Sequence, residues 1–245
     1  RVDLCSYAGV ARAFSGLMKW KMGLPRYDVV KGKIVLNVDP SVYDVRPFVL
    51  AAVIRNLKLS EESVRELMEM QEDLHWGVGR DRKKASIGVH NLDAVQPPFT
   101  YKACDPKAVK FVPLDKTEEM NLQDILERHE KGVAYRHLVE WASKFPLIVD
   151  KNENVLSMPP IINGELTRVG GQTRNLFIDV TGTDLNAVTR SLNVLVTALA
   201  DMGGTVESVS VRQRDRTVVS PDLTPQRVKL RTDYANGLLG LKLSE

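Results

Sequence analysis

Residues 175–184, NLFIDVTGTD, decide how this chain is read. Leu176, Ile178 and Val180 alternate with Phe177, Asp179 and Thr181, the period-two pattern of a β-strand with two unlike faces. One face is aliphatic; the other sets an acid, Asp179, between a phenyl ring and a hydroxyl. Thr183 or Asp184 then caps a helix whose stripe is Leu185, Val188, Leu192, Leu195, Leu199 and Met202, closed by Gly203 and Gly204. Two accounts of the acid stay open: it complements the N-terminal dipole of that helix, or it belongs to a polar site.

Further strands follow from β-branched runs outward of this stretch: KIVLNVD at 33–39, RPFVLAAVIRNL at 46–57, ASIGVH at 85–90, FPLIVD at 145–150, VLSM at 155–158, and a strand and hairpin over 205–220. Residues 159–164, PPIING, cannot sit in a central ladder because neither proline donates a hydrogen bond, so its carbonyls are free to face a cavity. Helices are predicted over 4–22, from Ser60 through His75, near Leu122 to His129, near Tyr135 to Ser143, and from Thr224 onward. Strands and helices do not alternate as βαβ units. The fold expected is therefore α+β, a mixed sheet domain flanked by helices, with fragments of neighbouring domains at both ends.

In the helix 61–75 the buried stripe runs Val64, Leu67, Met68, Gln71, Leu74 and His75, so two polar residues four apart lie on the face that should be apolar. Directly after it Arg80, Arg82, Lys83 and Lys84 fall within five residues, a spacing suited either to a solvated loop or to phosphate contacts. The two glycines beside this run lack the remaining elements of a Rossmann or P-loop signature.

With 34 basic and 31 acidic residues the net charge is +3, too small to indicate a polyanion partner except through local clustering. The two cysteines, Cys5 and Cys104, make no CxxC pair, which speaks against a disulfide framework or a thiolate zinc site and suits a reduced, cytoplasmic setting. No apolar run reaches the ~18 residues of a membrane span. The four histidines show no metal-ligand spacing and GxSxG is absent, so neither a resident metal nor a covalent serine mechanism is expected. What remains is a polar set without a strong nucleophile: Gln71, His75, Arg82, Ser157, Asn163, Asp179 and Thr181. The chain begins with Arg1 and ends in LSE, which suits an N-cap and first turn, so it is expected to be part of a longer protein.

The segments LSMPPIINGELTRV (156–169) and TRNLFIDVTGTD (173–184) resemble the beta subunit of phenylalanyl-tRNA synthetase of the archaeal and eukaryotic kind. The resemblance extends, in consistent order, through VRPFVLAAVIRNL, MQEDLH, GRDRKKASIGVHNLD, PPFTY and DLTPQRV. It departs at Val89, His90 and Asn91, where Thr-His-Asp would be expected. The resemblance implies that residues 1–42 end a preceding segment, 43–222 form an editing domain, and 223–245 begin a small helical domain.

It further implies a hydrolase that removes tyrosine wrongly joined to phenylalanine tRNA by positioning a water. An apolar pocket for phenylalanine rejects an isostere that adds a hydroxyl by only ~100-fold, so a second site built to bind the phenol is a reasonable remedy. In this reading Asp179, Thr181, Ser157 and His75 are catalytic. Gln71, Leu147, Asn163 and Phe177 bind the amino acid, and Arg80, Arg82, Lys83 and Lys84 bind tRNA. The fragment itself needs no cofactor; ATP and magnesium are implied for the whole synthetase, an alpha2beta2 assembly whose alpha subunit carries the synthetic site. The alternative is a non-catalytic tRNA-binding or subunit-interface module with the polar set as a satisfied core network.

Overall fold

The computed structural model describes Leu4 and residues Ser6 to Leu243. Arg1, Cys5, Ser244 and Glu245 lie outside the described residues, and with them the expectations drawn from the first residue, from one cysteine and from most of the terminal LSE. In chain order the strands are β1 (Val29–Val30), β2 (Val35–Val38), β3 (Phe48–Arg55), β4 (Ala85–Asn91), β5 (Phe99–Cys104), β6 (Lys110–Phe111) and β7 (Met120–Asn121). They continue with β8 (Phe145–Val149), β9 (Val155–Met158), β10 (Ile162–Asn163), β11 (Leu176–Gly182), β12 (Thr205–Arg212) and β13 (Thr217–Ser220). The α-helices are α1 (Tyr7–Leu17), α2 (Glu61–Trp76), α3 (Leu122–Arg128), α4 (Glu130–Tyr135), α5 (Leu185–Asp201) and α6 (Thr232–Leu239).

A mixed sheet runs in the order β10-β9-β8-β5-β2-β12-β3-β11-β4, with β1 and β13 also paired to β12. β12 joins two halves: Thr205 to Ser208 pair antiparallel with β3, and Ser210 to Arg212 pair parallel with β2. The two halves share a core in which Val49, Ala51, Val53 and Phe177 meet Leu36, Phe99, Tyr101 and Leu156. On the far side of β3, β4 and β11, α2 and α5 cover Leu50, Ala52, Ile54, Ile178 and Val180. The outer face of β8 and β9 packs on α3 through Leu147, Val149, Leu122 and Ile125. β11 is therefore buried on both faces, which explains why all seven of its residues are inaccessible.

Capping follows the sequence where it was read. Ser60 accepts from Ser63 N at 3.1 Å, with Glu61 and Glu62 in the first turn, and Asp184 accepts from Ala187 N at 3.1 Å. Four readings are corrected. β2 lies inside the sheet between β5 and β12, so the sheet includes residues ahead of Tyr43, where a boundary was expected. The leading helix is confined to α1 and docks on α5, with Arg12 2.6 Å from Asp201. Around residues 129–143 the helix starts early, because His129 Nδ1 accepts from Lys131 N at 3.2 Å, and it gives way to a 3-10 turn at Arg136–Leu138. No helix starts at Thr224: Asp222 Oδ1 accepts Thr224 N–H at 2.9 Å while Asn193 of α5 donates to the Asp222 carbonyl at 2.8 Å, and α6 begins later. Among the described residues no helix is long and apolar enough to cross a membrane.

Candidate functional site

The inner face of β11 carries Phe177, Asp179 and Thr181, as alternation requires. Asp179 stands opposite Ala51 of β3 and Gly88 of β4, the smallest neighbours a strand can offer. Gly88 is needed there, since a Cβ would press into Asp179 Oδ1 and His90 Nε2. Those two atoms are 2.8 Å apart, and His90 Nδ1 lies 2.9 Å from Thr167 Oγ1. Both ring nitrogens have a partner, and the Thr167 hydroxyl also reaches Gly164 O at 3.2 Å. Thr167, His90 and Asp179 thus form a buried line that fixes Oδ1 of the acid.

The Asp179 carboxyl also borders a cavity of about 270 Å³. α2 contributes Gln71, Glu72 and His75, β4 contributes Ser86, Ile87 and Gly88, β9 contributes Ser157, and the β9–β10 turn contributes Pro159 to Ile161. Gln71 Nε2 donates to Ile87 O at 2.9 Å, but its Oε1 has no partner. Ser157 Oγ, His75 Nδ1 and Arg82 Nε are likewise buried and unpartnered. Four such atoms around one cavity are unusual, because buried polar groups are nearly always hydrogen-bonded. They mark a surface prepared for a polar guest.

His75 Nε2 accepts the Ile87 N–H at 2.8 Å, so in the neutral ring the proton sits on Nδ1. Its basic lone pair is consumed by the backbone. Burial pushes the His75 pKa down, opposed by Glu72, whose Oε2 is 3.7 Å from Nδ1. Glu72 in turn is held down to about 2, first by His75 and then by the charges of Arg82 and Lys131.

Arg82 reaches the same cavity from a strained turn: Arg80, Asp81 and Arg82 have φ of 50°, 54° and 66°, a left-handed run that costs about 1–2 kcal/mol per residue. Arg46 offsets that cost. Its buried guanidinium donates to the carbonyls of Arg82 (2.9 Å), Lys83 (3.3 Å) and Thr181 (2.8 Å), and to the hydroxyls of Thr181 (2.9 Å) and Ser86 (3.1 Å). Burial without a carboxylate partner pulls its pKa down to about 10. Arg82 then caps Pro160 O (3.2 Å) and Ile161 O (2.9 Å), pairs with Glu72 at 2.7 Å, and lies 4.3 Å over the Tyr135 ring. The carbonyls of the proline segment do turn inward, and Arg82 is what meets them.

This fold occurs in a solved structure. The crystal structure of an N-terminal fragment of the phenylalanyl-tRNA synthetase beta subunit from Pyrococcus horikoshii superposes with a TM-score of 0.97 at 43% identity, over 100% of this chain and 71% of that one. The chain belongs to the phenylalanyl-tRNA synthetase beta-subunit family. Phenylalanine--tRNA ligase beta subunits of Methanothrix thermoacetophila and Thermococcus kodakarensis are 52% and 44% identical over the whole chain. It spans 45% and 43% of their lengths, a little under half. No family model matches the chain.

Against this beta-subunit fold the sequence-derived residues separate. Gln71, His75, Arg82, Ser157, Asn163 and Asp179 converge on the cavity. Thr181 does not, since its hydroxyl is held by Arg46 and lies 3.1 Å from Ser86 Oγ. Phe177 packs 4.3 Å from Phe99 in the core between the sheet halves, and Leu147 lies in the core on α3. Arg82 is buried, not a surface phosphate contact, and Lys84 pairs with Asp184 at 2.9 Å. Arg80 and Lys83 remain exposed beside a second cavity. His90, Thr167, Arg46 and Glu72 were missed. A glycine inside the ASIGVH strand, one alternation from His90, was the available signal. Among the described residues no group of three or more His, Cys, Asp or Glu side chains is placed to hold a metal.

Proposed function

We propose that the 270 Å³ cavity is an editing site that hydrolyses the ester joining tyrosine to phenylalanine tRNA. The observation that carries this reading is the ring of unpartnered buried atoms, Gln71 Oε1, Ser157 Oγ, His75 Nδ1 and Arg82 Nε, around a cavity that also meets Asp179.

The tRNA must stay outside the mouth, so the ester lies near the opening and the amino-acid side chain points inward. Asp179 is buried in the cavity wall, and in this reading it takes the phenol hydroxyl. Phenylalanine would leave the carboxyl oxygen not held by His90 without a partner, the kind of mismatch that supports discrimination of ~10⁴. Ser157 and Gln71 hold the attacking water or the ester carbonyl. Water adds to the carbonyl carbon, the bond to the ribose oxygen breaks, and that oxygen leaves with a proton. A neighbouring ribose hydroxyl can relay it; His75 acts as wall and N–H donor, its lone pair being occupied. An ester is reactive enough for position to supply much of the rate.

Synthesis of the ester, with its ATP and magnesium, falls in this reading to the alpha subunit of an alpha2beta2 synthetase. The test is incubation of the purified chain with preformed Tyr-tRNA and Phe-tRNA, following ester loss. Selective loss of tyrosine is expected; stable esters of both, with tRNA still bound, would leave only a binding module.

A further inference from the structure

On the other side of the strained Arg80–Arg82 turn lies a second cavity, of about 440 Å³. Its floor is Leu138 of the 3-10 segment and Val139 after it, its rim carries Arg80 and Lys83, and Trp141 forms a wall. Trp141 is 62% exposed, a large aromatic surface left in water. Its Nε1–H donates to Leu138 O at 3.2 Å, which fixes the indole without covering its faces. The positive groups are not paired away: Arg80 and Lys83 are exposed and take part in no ion pair among the described residues, and Asp81 is the single acid of the lining.

An aromatic platform beside exposed Arg and Lys is how proteins hold unpaired nucleic-acid strands, the base stacking and the phosphate drawn by charge. The volume suits one nucleotide. Both cavities share the 80–83 turn as a wall, with Arg82 facing the first and Arg80 and Lys83 the second. We infer that this second cavity binds a nucleotide of a single-stranded RNA 3′ end, its base stacked on Trp141 and its phosphate attracted by Arg80 and Lys83. The inference rests on the editing reading and adds to it where the unpaired strand is gripped while its terminal ester lies in the first cavity.

The experiment uses the chain with Trp20→Phe and Trp76→Phe, so that Trp141 is the sole indole, titrated with a short single-stranded RNA ending in CCA. Trp141 emission should be quenched on binding. Arg80→Ala with Lys83→Ala should weaken binding by ~10-fold or more and flatten its salt dependence, and Trp141→Ala, read by fluorescence anisotropy of labelled RNA, should weaken it ~10-fold, with Trp141→Phe restoring most of the affinity. Unquenched emission at saturating RNA overturns the inference, as does equal affinity for a blunt RNA duplex. Ester hydrolysis measured in parallel separates the two readings: a chain that deacylates Tyr-tRNA while Trp141 stays silent keeps the editing site and loses this one.

Discussion

His90 Nε2 meets Asp179 Oδ1 at 2.8 Å across the gap left by Gly88, so one backbone position without a side chain permits the contact that orients the acid. Gly88→Ala should lower stability by about 1–3 kcal/mol, the usual range for forcing a methyl into a packed core. Hydrolysis of Tyr-tRNA should fall further than the unfolded fraction explains. Thermal melts and single-turnover deacylation on the same preparation check both, and a stable variant with normal hydrolysis would separate the His90–Asp179 contact from function.

Asp179→Asn keeps the shape and the acceptor for His90 but removes the second charged oxygen from the cavity. A hydrogen bond to a charged group contributes about 1.5–3 kcal/mol, so kcat/KM for Tyr-tRNA should drop ~10- to 100-fold while that for Phe-tRNA is unchanged. An equal drop for both esters would mean that Asp179 binds the ammonium common to both.

Arg46 is the strut under the strained turn. Arg46→Ala should cost at least about 3 kcal/mol, because it removes a buried donor from the carbonyls of Arg82 and Thr181 together. Arg46→Lys should recover little, since an ammonium cannot reproduce the planar fork. Urea midpoints measure the cost, and protease cutting within 80–83 reports release of the turn.

Acid should destabilise the chain in two windows. The folded pKa of His75 lies below 6.5, so the unfolded chain binds the extra proton and stability falls as pH drops below about 6.5. Glu72, held at about 2 against an ordinary 4.5, loses its contribution between those values. His75→Gln, whose side-chain oxygen can accept the Ile87 N–H, should erase the upper window in melts taken from pH 7 to 5. Because the Nε2 lone pair is occupied, the same variant should keep hydrolysis within ~10-fold, less than the ~10²–10⁴ a general base supplies.

Much of the local structure was legible because it depends on neighbours in the chain. Alternation over 176–181 placed Asp179 and Thr181 on one face, and Ser60 and Asp184 announced their helices. Two polar residues on the α2 stripe, Gln71 and His75, pointed to the wall of the cavity before any fold was known. The helices read near Tyr135 to Ser143 and from Thr224 onward were misjudged where a side-chain hydrogen bond, to His129 or Asp222, accompanies a different start.

What the sequence determined by itself is periodicity and chemistry: which face each strand residue takes, and which residues can bond or ionise. Only the tertiary structure decided use. Thr181 shares a face with Asp179 yet is claimed by Arg46, 135 positions away, whereas Asp179 keeps access to the cavity because Gly88 on the adjoining strand has no side chain. Arg82, written in a run of surface-like charges, is turned inward by a left-handed bend that Arg46 holds. Those outcomes depend on contacts between residues far apart in the chain, and spacing along it carries no record of which distant groups will meet.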